Sequence, residues 1–283
     1  MTFKEKLIHP IAARFFAGTE LQDAVVRAKA ANAMGMGVTI DLMGEDLKER
    51  NVVERVRREY SRIIDTIENE RLDASLAVKP THIGLSVNRK IMEDNLLLLA
   101  DYADKKGIFL WVDMEGSAWT EDTLKAYSKV RDNYENAGIA LQACLHRTWD
   151  DLREMVASGA KVRLVKGAYN EPPSVAIQGG GKVRRRFQEM MEYLFAEAPS
   201  FAIGTHDLQL IKRGLELGAT SKCEPEFQML MGMRDDVKRK LAEKSLRVVE
   251  YVPYGKSWYA YGVRRLREKN RNIVYIIQGL YNR

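Results

Sequence analysis

Short runs of apolar and β-branched residues recur along the chain, each followed by a longer stretch with apolar positions at helical intervals. Eight such runs predict strands: 37–42 (GVTIDL), 79–85 (KPTHIGL), 108–114 (IFLWVDM), 139–145 (IALQACL), 161–167 (KVRLVKG), 201–206 (FAIGTH), 223–230 (CEPEFQML) and 246–252 (LRVVEYV). Segments between them, such as TLKAYSKVRDNYENAG and TWDDLREMVASGAK, carry the helical spacing. Thr120 and Thr148 suit helix starts, and Gly138 and Gly159 suit helix stops. Strand–helix alternation predicts parallel pairing through right-handed crossovers. Eight repeats in 283 residues predict a closed (βα)8 TIM barrel of the α/β class rather than an open doubly wound sheet. No GxGxxG follows the first run, which argues against the dinucleotide-binding form of the open sheet. A helical segment over 1–34 precedes the barrel at 35–283. Within that segment HPIAARFFAG reads as a helix covering the barrel bottom, with packing on another subunit, and hence a homo-oligomer, as the alternative.

Polar residues end or interrupt nearly every run: Asp41 and Glu45, Lys79, Asp113 and Glu115, Gln142, Arg163 and Lys166, Thr205 and His206, Glu226 and Gln228, and Tyr251. In a barrel these converge at the C-terminal mouth, where active sites of this fold sit. Buried charge is costly unless paired, so the pattern predicts a bound ligand or a dense ion-pair network. In VRLVKGAYNEPP (162–173), alternation sends Arg163, Val165 and Gly167 to one side and Leu164 and Lys166 to the other, which puts Arg163 inside or near the mouth. In YVPYGKSWYAYGVRRLREKN (251–270), a helix starting near Ser257 places Tyr261, Arg264, Arg265 and Glu268 on one face. Adjacent guanidiniums repel, and a carboxylate gripped between them relieves the repulsion. The aromatics Tyr251, Tyr254, Trp258, Tyr259 and Tyr261 argue against an ordinary solvated face.

Composition narrows the classes. Lys+Arg number 45 against 39 Asp+Glu, a net charge of +6 with a pI near 9.1. The charges are interleaved, as in ERNVVERVRREYSRIIDTIENER, so no nucleic-acid patch stands out. The excess suits an anionic ligand or an anionic membrane surface. Cys144 and Cys223 lie far apart, without metal or redox spacing, and His9, His82 and His146 show no ligand spacing either. No apolar run reaches the roughly 20 residues of a spanning helix, and the N-terminus lacks a signal-peptide core. The expected location is cytoplasmic, with peripheral attachment at the inner face of the cell membrane left open.

VRLVKGAY, EFQMLMGM and YVPYGKSWYAYGVRRLRE together resemble the proline dehydrogenase family. DLMGED, KPTHIGL, VDMEGS, LQACL and GTHD extend the resemblance, in the family's order, over about residues 37–272. It is to the short, single-function bacterial members. The resemblance implies a distorted barrel that binds a flavin and oxidises L-proline to Δ1-pyrroline-5-carboxylate, the first step of proline catabolism. Hydride would pass to the flavin N5, and the electrons then to a quinone. By the same resemblance, Arg264 and Arg265 clamp the substrate carboxylate and Lys79 lies near it and the flavin. Tyr251 packs on the substrate ring, and Tyr169, Leu230 and Tyr261 complete the apolar wall. Asp41 and Asp113 are acidic positions at the mouth, and Glu45 pairs with one arginine to close the site. Gln142 and Arg163 lie near the isoalloxazine and ribityl chain, with Lys166, Gly167 and Ala168 beside the flavin. Thr205 and His206 meet the adenine end and pyrophosphate, and Glu226 and Gln228 line the flavin side. The adenosine contacts imply FAD ahead of FMN. Ala260 stands where the family often has proline, and Asp207 where some relatives have asparagine. A tyrosine at 251 should crowd a ring hydroxyl and favour proline over 4-hydroxyproline. Two other readings stay open on the residues: a Schiff-base lyase using Lys166 or Lys79, and a basic nucleic-acid or membrane-binding protein.

Overall fold

The computed structural model describes His9, residues 12–259 and residues 261–263. Eight parallel strands pair in chain order and the last closes on the first, so the barrel expected from the repeats is present. They are β1 (Gly37–Leu42), β2 (Ala74–Val78), β3 (Leu110–Val112), β4 (Ala137–Gln142), β5 (Lys161–Val165), β6 (Phe201–Gly204), β7 (Glu226–Leu230) and β8 (Val248–Tyr254). The helices are α1 (Leu21–Asn32), α2 (Arg50–Asn69), α3 (Arg89–Lys105), α4 (Thr120–Arg131), α5 (Thr148–Ala157), α6 (Gly180–Glu197), α7 (Leu208–Gly218) and α8 (Asp235–Glu243). Thr120 and Thr148 open helices as expected, and Gly159 follows α5 with φ +73°.

Outward strand residues such as Val38, Ile40, Leu76, Val112 and Leu164 join one apolar cluster with the helix faces. The stripe Tyr60, Ile63, Ile64 and Ile67 of α2 is typical of those faces. Full burial of each such side chain stabilises by about 1.5–3 kcal/mol, so the outer layer holds the barrel and frees the interior for polar residues. Inside, Trp111 packs between Ala77 and Ala202, with Phe109 and Tyr251 against it.

Three expectations are corrected. The second strand is Ala74–Val78, and KPTHIGL follows it as a 3-10 turn, Pro80–Ile83. Pro80 has no N–H for the ladder, so pairing stops before it, and Lys79 stands at the strand's end. Gly138 lies inside β4 instead of ending a helix. A Cβ there would come within 2.6 Å of the Trp111 ring, so the glycine makes room for the indole.

The third concerns the leading segment. Its stretch from Ala12 to Gly18 sits at the mouth, not the bottom. The Ala17 N–H donates to the Pro253 carbonyl at 2.8 Å, and the Gly255 N–H to Gly18 at 2.9 Å. Phe16 stacks on Trp258 at 5.5 Å, within an apolar cluster of Ala12, Phe15, Phe16, Met43, Trp258 and Tyr261. The segment covers the apolar side chains of Met43, Trp258 and Tyr261 and buries them. α1 then packs on β8 and β1. That flank belongs to the eighth crossover helix in a regular barrel.

Candidate active site

Four strands deliver a charge cluster to the mouth. Lys79, at the end of β2, bonds Asp41 of β1 and lies 3.9 Å from Asp113 after β3. Arg163 of β5 pairs with the other oxygen of Asp113 and donates to Gln228 Oε1 at 3.2 Å. The Tyr251 hydroxyl of β8 donates to Asp113 Oδ2 at 2.6 Å. Arg163 lies over the rings of Trp111 and Tyr251, at 4.8 and 5.5 Å. Burial raises the pKa of Asp41, and Lys79 only partly offsets that. Burial alone would lower Lys79, but Asp41 and Asp113 together outweigh it, so the ammonium is held charged. Burial and then Asp113 lift Tyr251 well above the usual phenol range, so it remains a donor. Two carboxylates face two cations, and the cluster is charge-balanced.

β4 to β7 supply a second wall of amides and cations. The Gln142 side chain donates to the Glu115 carbonyl at 2.8 Å, which joins the ends of β4 and β3. Lys166 and Arg184 converge on Asp207 Oδ2 at 2.5 and 2.6 Å. Asp207 also caps α7, accepting from the Gln209 N–H at 3.0 Å. Gly167 has φ +107°, and a Cβ there would lie 2.3 Å from Cys144 Sγ; Ala168 beside it is exposed. Thr205 is buried, with its Oγ1 accepting from the Asp207 N–H at 3.2 Å. His206 Nε2 accepts from the Leu230 N–H at 3.0 Å, which ties the end of β6 to β7. Glu226 is elsewhere. It opens β7 at the barrel bottom, 2.5 Å from Lys161 of β5, and its other oxygen accepts from Gln228 at 2.9 Å. The expectation that it lines the mouth is corrected: an inward face continues down to the bottom, and the strand's first residue lies there.

Over the mouth, Tyr169 donates to Glu45 at 3.2 Å, joining the loops after β5 and β1. Ser117 donates through N–H and hydroxyl to Glu171, at 2.7 and 2.6 Å, joining the loops after β3 and β5. These loops border an open cleft of about 290 Å3 lined by Glu45, Thr81, Glu115, Trp119, Tyr169 and Glu171. Leu230 is half-buried at the end of β7, and Tyr261 is buried beside the leading segment. Residues 258–259 and 261–263 are helical, in keeping with the start expected near Ser257. Arg264, Arg265 and Glu268 lie outside the described residues. Participants not assigned from the sequence include Thr81, Trp111, Ser117, Glu171 and Arg184, and the bonds of Glu115. Glu115 follows Asp113 by two positions, and that same-side spacing was the one available signal. Among the described residues no group of His, Cys, Asp and Glu is arranged to hold a metal, and no helix is long and apolar enough to cross a membrane.

A family model described as proline dehydrogenase matches residues 24–275. The chain is 32% identical over 272 residues to proline dehydrogenase 1 of Bacillus subtilis subsp. natto, covering 95% of this chain and 90% of that protein. It is 28% identical over 279 residues to proline dehydrogenase of Deinococcus radiodurans, with the same coverages of 95% and 90%. Among solved structures, it resembles proline utilization A from Bdellovibrio bacteriovorus inactivated by N-propargylglycine, with TM-score 0.86 and 21% identity. That match covers 93% of this chain and 33% of the other, so the chain spans about a third of it. A mutant proline utilization A from Bradyrhizobium japonicum matches with TM-score 0.78 and 22% identity over 90% of this chain and 30% of that one.

Proposed function

The chain belongs to the proline dehydrogenase family, and from that premise we propose that it oxidises L-proline to Δ1-pyrroline-5-carboxylate, with FAD as its flavin and a quinone as the electron acceptor. The observation that carries this reading is the balanced cluster Asp41–Lys79–Asp113–Arg163, capped by Tyr251, at the barrel mouth. Because the cluster is already neutral, a substrate carboxylate needs further cations, and Arg264 and Arg265 are the pair for it. Lys79 adds an ammonium that its carboxylates keep charged. Tyr251 offers a ring face for the pyrrolidine, its hydroxyl anchored on Asp113, and Tyr169, Leu230 and Tyr261 are the residues for the rest of an apolar wall. Glu45, reached by Tyr169, sits where a loop can close the site and exclude water.

The residues fit a flavin. Gln142, Arg163 and Gln228 supply amide and guanidinium donors for a polar ring edge. Lys166 and Arg184 supply paired cations for a pyrophosphate beside Gly167, Ala168, Thr205 and His206. When bound, the flavin supplies the two-electron acceptor for the hydride leaving the carbon next to the ring nitrogen. Orientation is then the protein's main contribution. With a quinone acceptor, peripheral contact with an anionic membrane is the expected arrangement, and a net charge of +6 suits it. The lysine-nucleophile reading fares worse. Lys79 is held charged between two carboxylates and Lys166 is paired with Asp207, whereas a Schiff-base lysine must shed its proton.

The test is the visible spectrum of the purified protein under anaerobic conditions. L-proline should bleach a flavin spectrum and D-proline should not. Arg264→Met and Arg265→Met should each retain the flavin and weaken proline binding by about 100-fold, the loss of a bidentate charged contact. A colourless protein that takes up no flavin, or a flavin that L-proline leaves oxidised, would overturn the reading.

A further inference from the structure

Thr81 and Glu115 have no part in the roles above, yet they are among the most buried polar residues, at 1% and 3% exposure. We propose that Glu115 is a positioning residue: acting through Thr81, it fixes the backbone of the loop after β1 and aims Glu45, and so sets affinity for the substrate. The proposal rests on Glu45 closing the site in the proline oxidation proposed above.

The connection is continuous. Thr81 donates twice to Glu115, from its N–H to Oε2 at 2.7 Å and from its hydroxyl to Oε1 at 2.6 Å. The Thr81 hydroxyl oxygen then accepts from the Asp46 N–H at 2.7 Å, and its carbonyl accepts from the Leu47 N–H at 3.2 Å. Asp46, next to Glu45, has φ +56°, a left-handed conformation that non-glycine residues seldom adopt. Such a conformation persists where surrounding bonds over-determine it. Here its N–H is held by Thr81 and its carboxylate by the Ser86 hydroxyl at 2.8 Å. Glu115 thus reaches Glu45 through one threonine. Its own backbone is pinned in turn, because its carbonyl accepts from Gln142 at 2.8 Å. Thr81 is also two residues past Lys79, so one carboxylate braces both the strand end that carries the lysine and the loop that carries Glu45.

The carboxylate form is what this geometry requires. An ionised Glu115 accepts both Thr81 donors, whereas a protonated one turns an acceptor into a donor and loses one of them. Burial lifts the carboxyl to about 7, Thr81 and Lys79 pull it down, and Glu45 pushes it up. Asp46 and Glu171 line the same cleft. The loop should therefore loosen as pH falls below about 7.

The experiment combines amide hydrogen exchange with steady-state kinetics on the flavin-loaded protein. Thr81→Val keeps shape and removes the hydroxyl; Glu115→Gln keeps shape and removes one acceptor. In both, the Asp46 amide should exchange at least about tenfold faster. KM for proline should rise about tenfold while kcat stays within about threefold, the split expected when a contact that holds bound substrate is lost. Thr81→Ser should restore wild-type behaviour, and the double variant should be no worse than either single one. Wild-type KM should climb as pH drops from 8 to 6, and that of Glu115→Gln should stay flat. Unchanged Asp46 exchange, a KM within about twofold of wild type, or full additivity in the double variant would overturn the proposal. If the wild-type protein does not react with proline, the functional reading falls, and Asp46 exchange alone decides for or against the tether.

Discussion

Glu250 and Tyr251 are neighbours on β8, and each stands in front of a buried charge cluster on its own face of the strand. Outside the barrel, Glu250 is fully buried and accepts from Arg27 at 2.7 Å and from Lys238, which lies 2.8 Å from Asp235. These bonds join α1 and α8 to β8. Inside, Tyr251 meets Asp113, Lys79, Asp41 and Arg163. Both sets pay for desolvation with ion pairs, but they end differently. At the centre of the outer set both oxygens of Glu250 are held by cations, and the Glu250 bond raises the pKa of Arg27. The inner set faces the barrel mouth, at the C-terminal ends of the strands. There burial still dominates Asp41 and raises its pKa. A carboxylate with both oxygens held by cations marks structural glue; incomplete compensation at the barrel mouth marks a place where a ligand can join the network.

The sharpest way to break this comparison is Glu250→Gln. It leaves Lys238 buried against a neutral amide, and urea unfolding should show a loss of about 3–5 kcal/mol. Turnover by the remaining folded protein should be unchanged. A loss under about 1 kcal/mol would mean that the outer set is not glue.

Next comes Glu115, whose folded pKa of about 7 exceeds the ordinary 4.5. The folded state binds the extra proton, so this group's contribution to stability falls as pH rises from about 4.5 to 7. Glu115→Gln removes that slope. Relative to wild type, its unfolding free energy should therefore rise by up to about 1.4 kcal/mol per pH unit across the window. Parallel stability curves for the two proteins would contradict the assignment.

Tyr251→Phe should give the smallest effect and the most local one. It keeps the ring and removes the 2.6 Å bond to Asp113. A bond to a charged acceptor contributes about 1.5–3 kcal/mol, so kcat/KM for proline should fall at least about tenfold. Discrimination against 4-hydroxyproline should relax. Unfolding stability should change less than in Glu250→Gln. If stability falls as far and kcat/KM does not move, the inner set is structural too.

Much of the interior was legible in the residues. Alternation put Arg163 inside, and it is inside, on Asp113, Gln228 and two aromatic rings. Glu226 shows the limit of the same rule. It shares the inward face of Gln228 but sits at the barrel bottom with Lys161. Period two reports the face of a strand, not the depth along the axis. The small-residue run ASLAV was passed over as a strand for the turn that follows it, because Ala and Ser carry little β signal. The leading segment was visibly apolar, but apolarity alone does not choose between the two ends of a barrel. Thr81 belongs to no periodic pattern and meets Glu115 across 34 residues, so nothing local announced their contact.

By itself, then, the sequence determined the eight repeats, the inward and outward faces, and the residue types offered at the strand ends. These are local properties, set by the pleat of a strand and the turn of a helix. The tertiary structure decided which carboxylate meets which cation, and at what depth. It placed Lys79 on Asp41, Tyr251 on Asp113 and Glu115 on Thr81. Those distances depend on how far each strand is staggered against the next in a closed barrel. Closure fixes that stagger once for all eight strands together.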